Sequence, residues 1–236
     1  MFFLPRSYGQ TRKGRLNFLL IATVLLGLIR APLPQSAREV FDKCKARATQ
    51  IDSSLDRMDL SFIQKMEMVS RGGSIDKLEF RITVRHGIFK RELIAGTVPN
   101  ESRFDAGYAA FDKMFLLHEY FSDKGKTLSS CDLEDPSGSD DLRLNFSFAE
   151  PSDTNDPMST VTASVNPHNY TPVWIREHLR GLPLGMEFDD TVEVSYDKLL
   201  NTYFPGKIVM HIYGKFFFIH GEIGKITIRN EGLHRI

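Results

Sequence analysis

"LEFRITVR", residues 78–85, decides how this chain is read. Leu78, Phe80, Ile82 and Val84 alternate with Glu79, Arg81, Thr83 and Arg85. A strand therefore puts four apolar side chains on one face and four polar ones on the other. A helix of 3.6-residue period would mix the two sets. One covered face and one wet face is the signature of an antiparallel sheet. The same alternation lies just upstream in "LSFIQKMEMV", residues 60–69, where Leu60, Phe62, Met66 and Met68 share a face with Gln64 among them. "RGGS", 71–74, supplies glycines for the turn between the two runs, and His86-Gly87 leads on to "IFKRELIA", 88–95. Three strands joined by short turns predict an antiparallel meander.

Upstream of the meander, residues 38–58 change period. Phe41, Cys44, Ala48, Ile51, Leu55 and Met58 recur at spacings of three and four, so they line one face of an amphipathic helix. Downstream, "YAAFDKMFLLHEYF", 108–121, fits neither period well and is taken as a smaller helix. "SSCDLEDPSGSDD", 129–141, reads as a polar loop. Its Asp132, Glu134, Asp135, Asp140 and Asp141 are hard-cation donors, but they lack the regular order of a calcium loop, which favours a solvated segment. Strand alternation returns in "LRLNFSFA", 142–149, with Leu142, Leu144, Phe146 and Phe148 on one face. After the loop "EPSDTNDP" come "STVTASV", "PVWIREHL", "TVEVSY", "KIVMHIYG", "FFFIHG" and "KITIRN". No repeat or linker divides this span.

The most apolar stretch is Leu16 to Ile29, preceded by Arg6, Arg12, Lys13 and Arg15 with no acidic residue. As a helix its 14 residues reach about 21 Å, short of a hydrocarbon core of about 30 Å. A basic start, a short apolar run and the small residues Ser36 and Ala37 predict a secretory signal over residues 1–37. The alternative is a retained anchor in the inner membrane over residues 16–29. Either one sends residues 38–236, read as a single domain, across a membrane and makes the protein exported and periplasmic. Residues 1–37 hold five basic and no acidic residues, which leaves 25 basic and 30 acidic beyond them, a net charge of −5. An acidic body argues against nucleic acid as the partner.

Catalytic signatures are missing: there is no G-x-S-x-G, H-E-x-x-H, phosphate loop or dinucleotide fingerprint. Seven histidines are scattered, His118, His178, His211 and His220 among them, and are read as surface residues. Asp189-Asp190 is placed at a turn ahead of a strand. Cys44 and Cys131 form no metal or redox motif; they are either one disulfide or two inert thiols. N-x-[ST] sequons occur at Asn100, Asn145 and Asn169. These features imply no enzyme, no cofactor and no metal.

A helix followed by a long antiparallel meander buries its apolar faces by curling the sheet around the helix or by closing a barrel. The fold class expected is α+β, mainly antiparallel β. Its core is a curved, incomplete half-barrel wrapped around or covered by the N-terminal amphipathic helix and the smaller middle helix. Phe62, Met66, Met68, Phe80, Ile82, Phe89, Leu144, Phe146 and Met210 point inward in this scheme. Adaptable Met and Phe side chains in such places either line a cavity for apolar ligands or make up ordinary core.

The order of a leader, the helix "EVFDKCKARATQIDSSLDRM", the hairpin "SFIQKMEMVSRGGSIDKLEFRITVR" and the late "YFPGKIVMHIYG" resembles the bacterial periplasmic lipoprotein carriers and related lipoprotein-localisation proteins. The resemblance spans most of residues 38–230. It implies a curved open barrel covered by helices whose cavity holds an acyl chain, lipid or lipoprotein. No single arginine or lid residue of those carriers aligns with a position here. The insertion ahead of "LRLNFSFA" is long and acidic. A membrane-tethered module that binds an envelope protein partner is the other expectation.

Overall fold

Ten strands hydrogen-bond side by side into one sheet in which every neighbouring pair is antiparallel. The computed structural model describes residues 36–97, 112–122, 127–134, 140–150, 153–180, 186–216 and 219–236. The leader, residues 98–111 and Asn100 with them lie outside the described residues. Among the described residues no helix is long and apolar enough to cross a membrane.

Helix α1 (Ala37–Asp56) comes first. It begins where the sequence supplies a cap: the Ser36 hydroxyl accepts a hydrogen bond from the Glu39 backbone N–H at 3.1 Å. Its apolar stripe of Val40, Phe41, Cys44, Ala48, Ile51 and Leu55 is buried. Strands β1 (Leu60–Ser70), β2 (Ile75–Arg85) and β3 (Ile88–Ala95) form the predicted meander. Then come a 3-10 helix (Leu117–Phe121), β4 (Thr127–Glu134), β5 (Leu142–Glu150), β6 (Asp153–Val165), β7 (Pro172–Leu179), β8 (Glu187–Asp197), β9 (Thr202–Phe216) and β10 (Ile219–Arg235).

Across the sheet the order is β3-β2-β1-β10-β9-β8-β7-β6-β5-β4. The two ends, β3 and β4, do not pair, so the sheet is open. One contiguous core nevertheless gathers inward residues from both ends, such as Phe80 and Phe146, around the stripe of α1. A sheet can do this only by curling over its helix. The expected half-barrel is therefore present. Phe146 is the hub on one side, with Phe41 at 4.9 Å, Phe121 at 5.4 Å and Phe148 at 5.7 Å between ring centroids.

Several expectations are corrected. Residues 129–134 are not loop but part of β4. This strand forms an end of the sheet, so most of its polar residues face solvent, and only Leu128, Cys131 and Leu133 touch the core. Of the acidic loop, residues 135–139 lie outside the described residues. Backbone pairing also reaches into "EPSDTNDP", because β6 starts at Asp153. "KIVMHIYG", "FFFIHG" and "KITIRN" are not three strands but parts of the long pair β9 and β10. Pro205, which lacks an N–H, sits in β9 at a register shift opposite Val194. The middle helix is replaced, in its described part, by a helical turn at 112–114 and the 3-10 helix. Leu117, Tyr120 and Phe121 are all buried there, and the i, i+3 pair Leu117–Tyr120 suits the three-residue turn. Asp189 and Asp190 lie inside β8, not at a turn before it.

Candidate functional site

Where α1 ends, its C-terminal half, the start of β1 and the β2–β3 hairpin leave a gap that the sheet does not fill. The gap is a pocket of about 280 Å³. Leu55 of α1, Leu60 of β1, Val84 of β2, Phe89 of β3, Phe115 and Leu116 form its apolar wall, and Thr49, Asp52, Ser53, Asp56 and His118 line the rest. Small-molecule sites commonly run from about 300 to 1,000 Å³, so this one sits at the small end.

Its roof is the segment 112–122, on the stretch that connects β3 at one end of the sheet to β4 at the other. Three sets of contacts hold that roof, one of them the ion pair between Arg91 of β3 and Asp112. Phe115 stacks on Phe62 of β1, with centroids 5.0 Å apart and rings 7° from parallel, and meets Phe89 edge-on at 5.7 Å. Asp52 of α1 accepts hydrogen bonds from the Leu117 and His118 backbone N–H groups at 3.0 and 2.7 Å, and its Oδ2 lies 2.8 Å from His118 Nδ1. Burial pushes the Asp52 carboxyl above its usual range, although the His118 and Leu117 hydrogen bonds pull the other way. A buried carboxylate that takes two main-chain N–H groups serves as a clamp. The helical period grouped Asp52 with the polar residues of the other faces, whereas it is buried beside the apolar stripe.

The floor is tight. His86 and Gly87 both have positive φ, 50° and 74°, as a two-residue type I′ hairpin turn requires. A Cβ on Gly87 would lie 2.6 Å from Asp56 Oδ1.

Of the nine inward residues singled out from sequence, Phe89 lines this pocket. Phe62, Met66, Phe80, Ile82, Leu144 and Phe146 are buried in the shared core, and Met68 packs against it half-buried. Met210 is buried in β9. The pocket walls that periodicity did not single out, Leu55, Val84, Phe115 and Leu116, belong to element ends and to the roof segment.

On the concave face away from the pocket, Asp190 of β8 and Glu177 of β7 are register partners. Asp190 is 1% exposed, and neither of its carboxylate oxygens has a hydrogen-bond partner. Burial, with Glu177 and Asp189 adding repulsion, pushes it up to about 8. Glu177 accepts a hydrogen bond from the buried Ser159 hydroxyl at 2.6 Å. The strand alternation that should have exposed Asp190 as inward-facing, in step with Phe188 and Val192, was obscured by its acidic neighbour Asp189. His178 instead points outward, where Asp189 lies 2.6 Å from its Nδ1. His211 likewise lies 2.9 Å from Glu222. The His220 side chain is not among those described. Among the described residues, no group of histidine, cysteine and acidic side chains is placed to hold a metal ion.

No protein-family model matches the chain, and no curated protein matches it. Solved structures do. A LolA superfamily protein from Nitrosomonas europaea is 11% identical, with a TM-score of 0.39 over 80% of this chain and 93% of that one. A putative outer membrane lipoprotein-sorting protein domain from Vibrio parahaemolyticus is 9% identical, with a TM-score of 0.44 over 85% and 93%. A DUF1329 family protein from Desulfovibrio piger is 10% identical, with a TM-score of 0.45 over 84% and 92%.

Proposed function

We propose that this chain is an exported, non-catalytic binding protein that holds an acyl chain, free or as part of a lipid or lipoprotein, against the inside of its half-barrel. The observation that supports this reading is the apolar pocket under the roof segment. Leu55, Leu60, Val84, Phe89, Phe115 and Leu116 offer it a continuous hydrocarbon wall, and its polar groups are gathered on the helix side. Burial of ligand hydrocarbon at roughly 25 cal/mol per Å² supplies the driving force. A pocket this small takes one chain segment unless the roof lifts. The roof is fastened to α1 through Asp52 and to the sheet through Phe115 and Asp112. A second reading, an envelope interaction module tethered by residues 16–29, draws support from the apolar exposed strand at one end of the sheet.

The test is native mass spectrometry of the full chain recovered from its own envelope, paired with a denatured spectrum. Lipid-sized adducts on the wild type that disappear in Val84→Trp, a substitution that fills the pocket, are expected. A wild-type spectrum without adducts overturns the reading. The denatured mass states in the same experiment whether residues 1–37 have been removed.

A further inference from the structure

Strand β3 is the end of the sheet, and among the described residues no strand pairs with its other side, where an end strand can offer backbone N–H and C=O groups to a neighbour. Three of its large apolar side chains are exposed: Ile88 at 63%, Leu93 at 42% and Ile94 at 44%. Its pairing with β2 fixes which way each residue faces. Phe89, Arg91 and Leu93 stand opposite Val84, Ile82 and Phe80 on the inner face, and Lys90 and Glu92 stand on the outer face opposite Thr83 and Arg81. The stretch Ile88-Phe89-Lys90-Arg91-Glu92-Leu93-Ile94 is chemically symmetric about Arg91. Outward from that centre, Lys90 mirrors Glu92, Phe89 mirrors Leu93 and Ile88 mirrors Ile94.

We propose that β3 pairs antiparallel with β3 of a second copy of this chain, about a two-fold axis through Arg91. In that register residues whose numbers sum symmetrically about 91 stand opposite each other and on the same face. Lys90 then faces Glu92 of the second copy, twice by symmetry, and Phe89 faces Leu93 of the second copy. Ile88 meets Ile94 of the second copy at the margin, where the register shift near Ala95 loosens the ladder. The contact is self-complementary, as a two-fold interface must be. Both inner faces stay on one side of the joined sheet.

Charge on an end strand ordinarily prevents such pairing. Here each charge has a counter-charge. Arg91 is ion-paired with Asp112, so two opposed Arg91 side chains arrive already neutralised. Glu92 is 2.8 Å from Arg81 within its own chain, and Lys90 of the second copy joins that pair from the other side. A heterologous strand lacks this mirrored order of apolar, basic, acidic and apolar residues, which is why the observations favour a second copy. One strand pair is a small interface, so the dimer forms and dissociates with concentration. The proposal does not rest on the pocket being filled.

The test is sedimentation equilibrium of the full chain in a mild non-ionic detergent, over a concentration series, for the wild type, Lys90→Glu, Glu92→Lys and the double variant. These residues are exposed, so all four chains fold alike, which far-ultraviolet circular dichroism checks. The wild type is expected to dimerise. Each single reversal puts like charges opposite each other at two sites and weakens the dimer by roughly tenfold. The double reversal restores the pairing. A wild type that stays monomeric throughout overturns the proposal. So does a dimer indifferent to the single reversals, which would be held by another surface such as residues 16–29. Single variants that dissociate without rescue by the double variant overturn this register.

Discussion

Asp190 and Glu177 stand directly across from each other on β8 and β7, both on the inner face of the sheet, and neither oxygen of Asp190 has a partner. A buried carboxyl beside a second acidic group resists ionising. Asp190 is such a group: burial first, then Glu177 and Asp189, push it up to about 8.

The stability consequence has a definite sign. An unfolded aspartate ionises near pH 4, so between about pH 4 and 8 the folded protein holds a proton that the unfolded chain has released. The contribution of Asp190 is fully present below about pH 4 and is lost as pH rises through about 8, at up to about 1.4 kcal/mol per pH unit. Asp190→Asn should flatten this slope and raise the melting temperature at neutral and mildly alkaline pH. Thermal unfolding across the range checks it, and equal slopes for the two proteins would contradict the assignment.

A second prediction concerns a polar thread through the core. Gln64 Nε2 donates to Asn230 Oδ1 at 3.2 Å, and Asn230 Nδ2 donates to the Pro205 carbonyl at 2.8 Å. Three strands, β1, β10 and β9, are thus tied by side chains as well as by their ladders. Gln64→Leu leaves Asn230 Oδ1 without its donor, and Asn230→Leu leaves the Pro205 carbonyl without Nδ2. Each single change should cost about 1–3 kcal/mol, and the double leucine variant less than their sum. Urea unfolding of the four proteins measures the difference.

The two thiols should react unequally. Burial pushes Cys44 up to about 12, with Cys131 adding to the shift. Cys131 is raised as well, but it is only half-buried. In the native, reduced protein, alkylation is expected at Cys131 first and at Cys44 only on unfolding. Peptide mapping after a timed pulse of iodoacetamide separates the two. Early labelling of Cys44 would mean that α1 lifts from the sheet on the timescale of the pulse.

Gly87 sits at the floor of the pocket with φ of 74°. Gly87→Ala forces a Cβ into the left-handed region and against Asp56, and should destabilise by about 1–2 kcal/mol. Asp56→Ala in the same chain removes the collision but not the backbone strain, so it should recover part of the loss. Full recovery would place the whole cost on Asp56. Midpoints of urea denaturation decide between the two.

How much of this was legible beforehand follows from where each signal lives. The meander could be read from Leu78, Phe80, Ile82 and Val84, because a half-exposed strand writes its two faces into the sequence as alternation. Helix α1 could be read from its apolar stripe, whereas Ser36, read as a small residue at the end of a leader, turned out to cap it. β4 could not, because an end strand on a curved sheet needs few apolar residues, and Leu128, Cys131 and Leu133 are too sparse to stand out among serines and acids. The pocket could not either. Its wall is assembled from Leu55, Val84 and Phe115, which are far apart in sequence and meet only when the roof segment folds back over α1. Periodicity marks a residue as inward but does not tell packed core from cavity lining. For that reason most of the Met and Phe side chains marked inward sit in packed core while Phe89 lines the gap.

The pairing of β1 with β10 couples the first strand made to the last. Leu60 is opposite Arg235 and Lys65 is opposite Arg229, so the seam of the sheet is closed by residues from the two ends of the fold. Strands β4 to β9 can add one after another as hairpins while the chain emerges, and α1 can already meet β5 through Phe41 and Phe146, but β1 to β3 have no strand of the main sheet to pair with until β10 exists. Contacts of such large sequence separation are slow to form. Until β10 is made, β1 to β3, most of the amino-terminal third, are therefore held back as an open, apolar meander. A truncation within β10 would strand that third without a sheet to join, and would leave the earlier-formed hairpins paired.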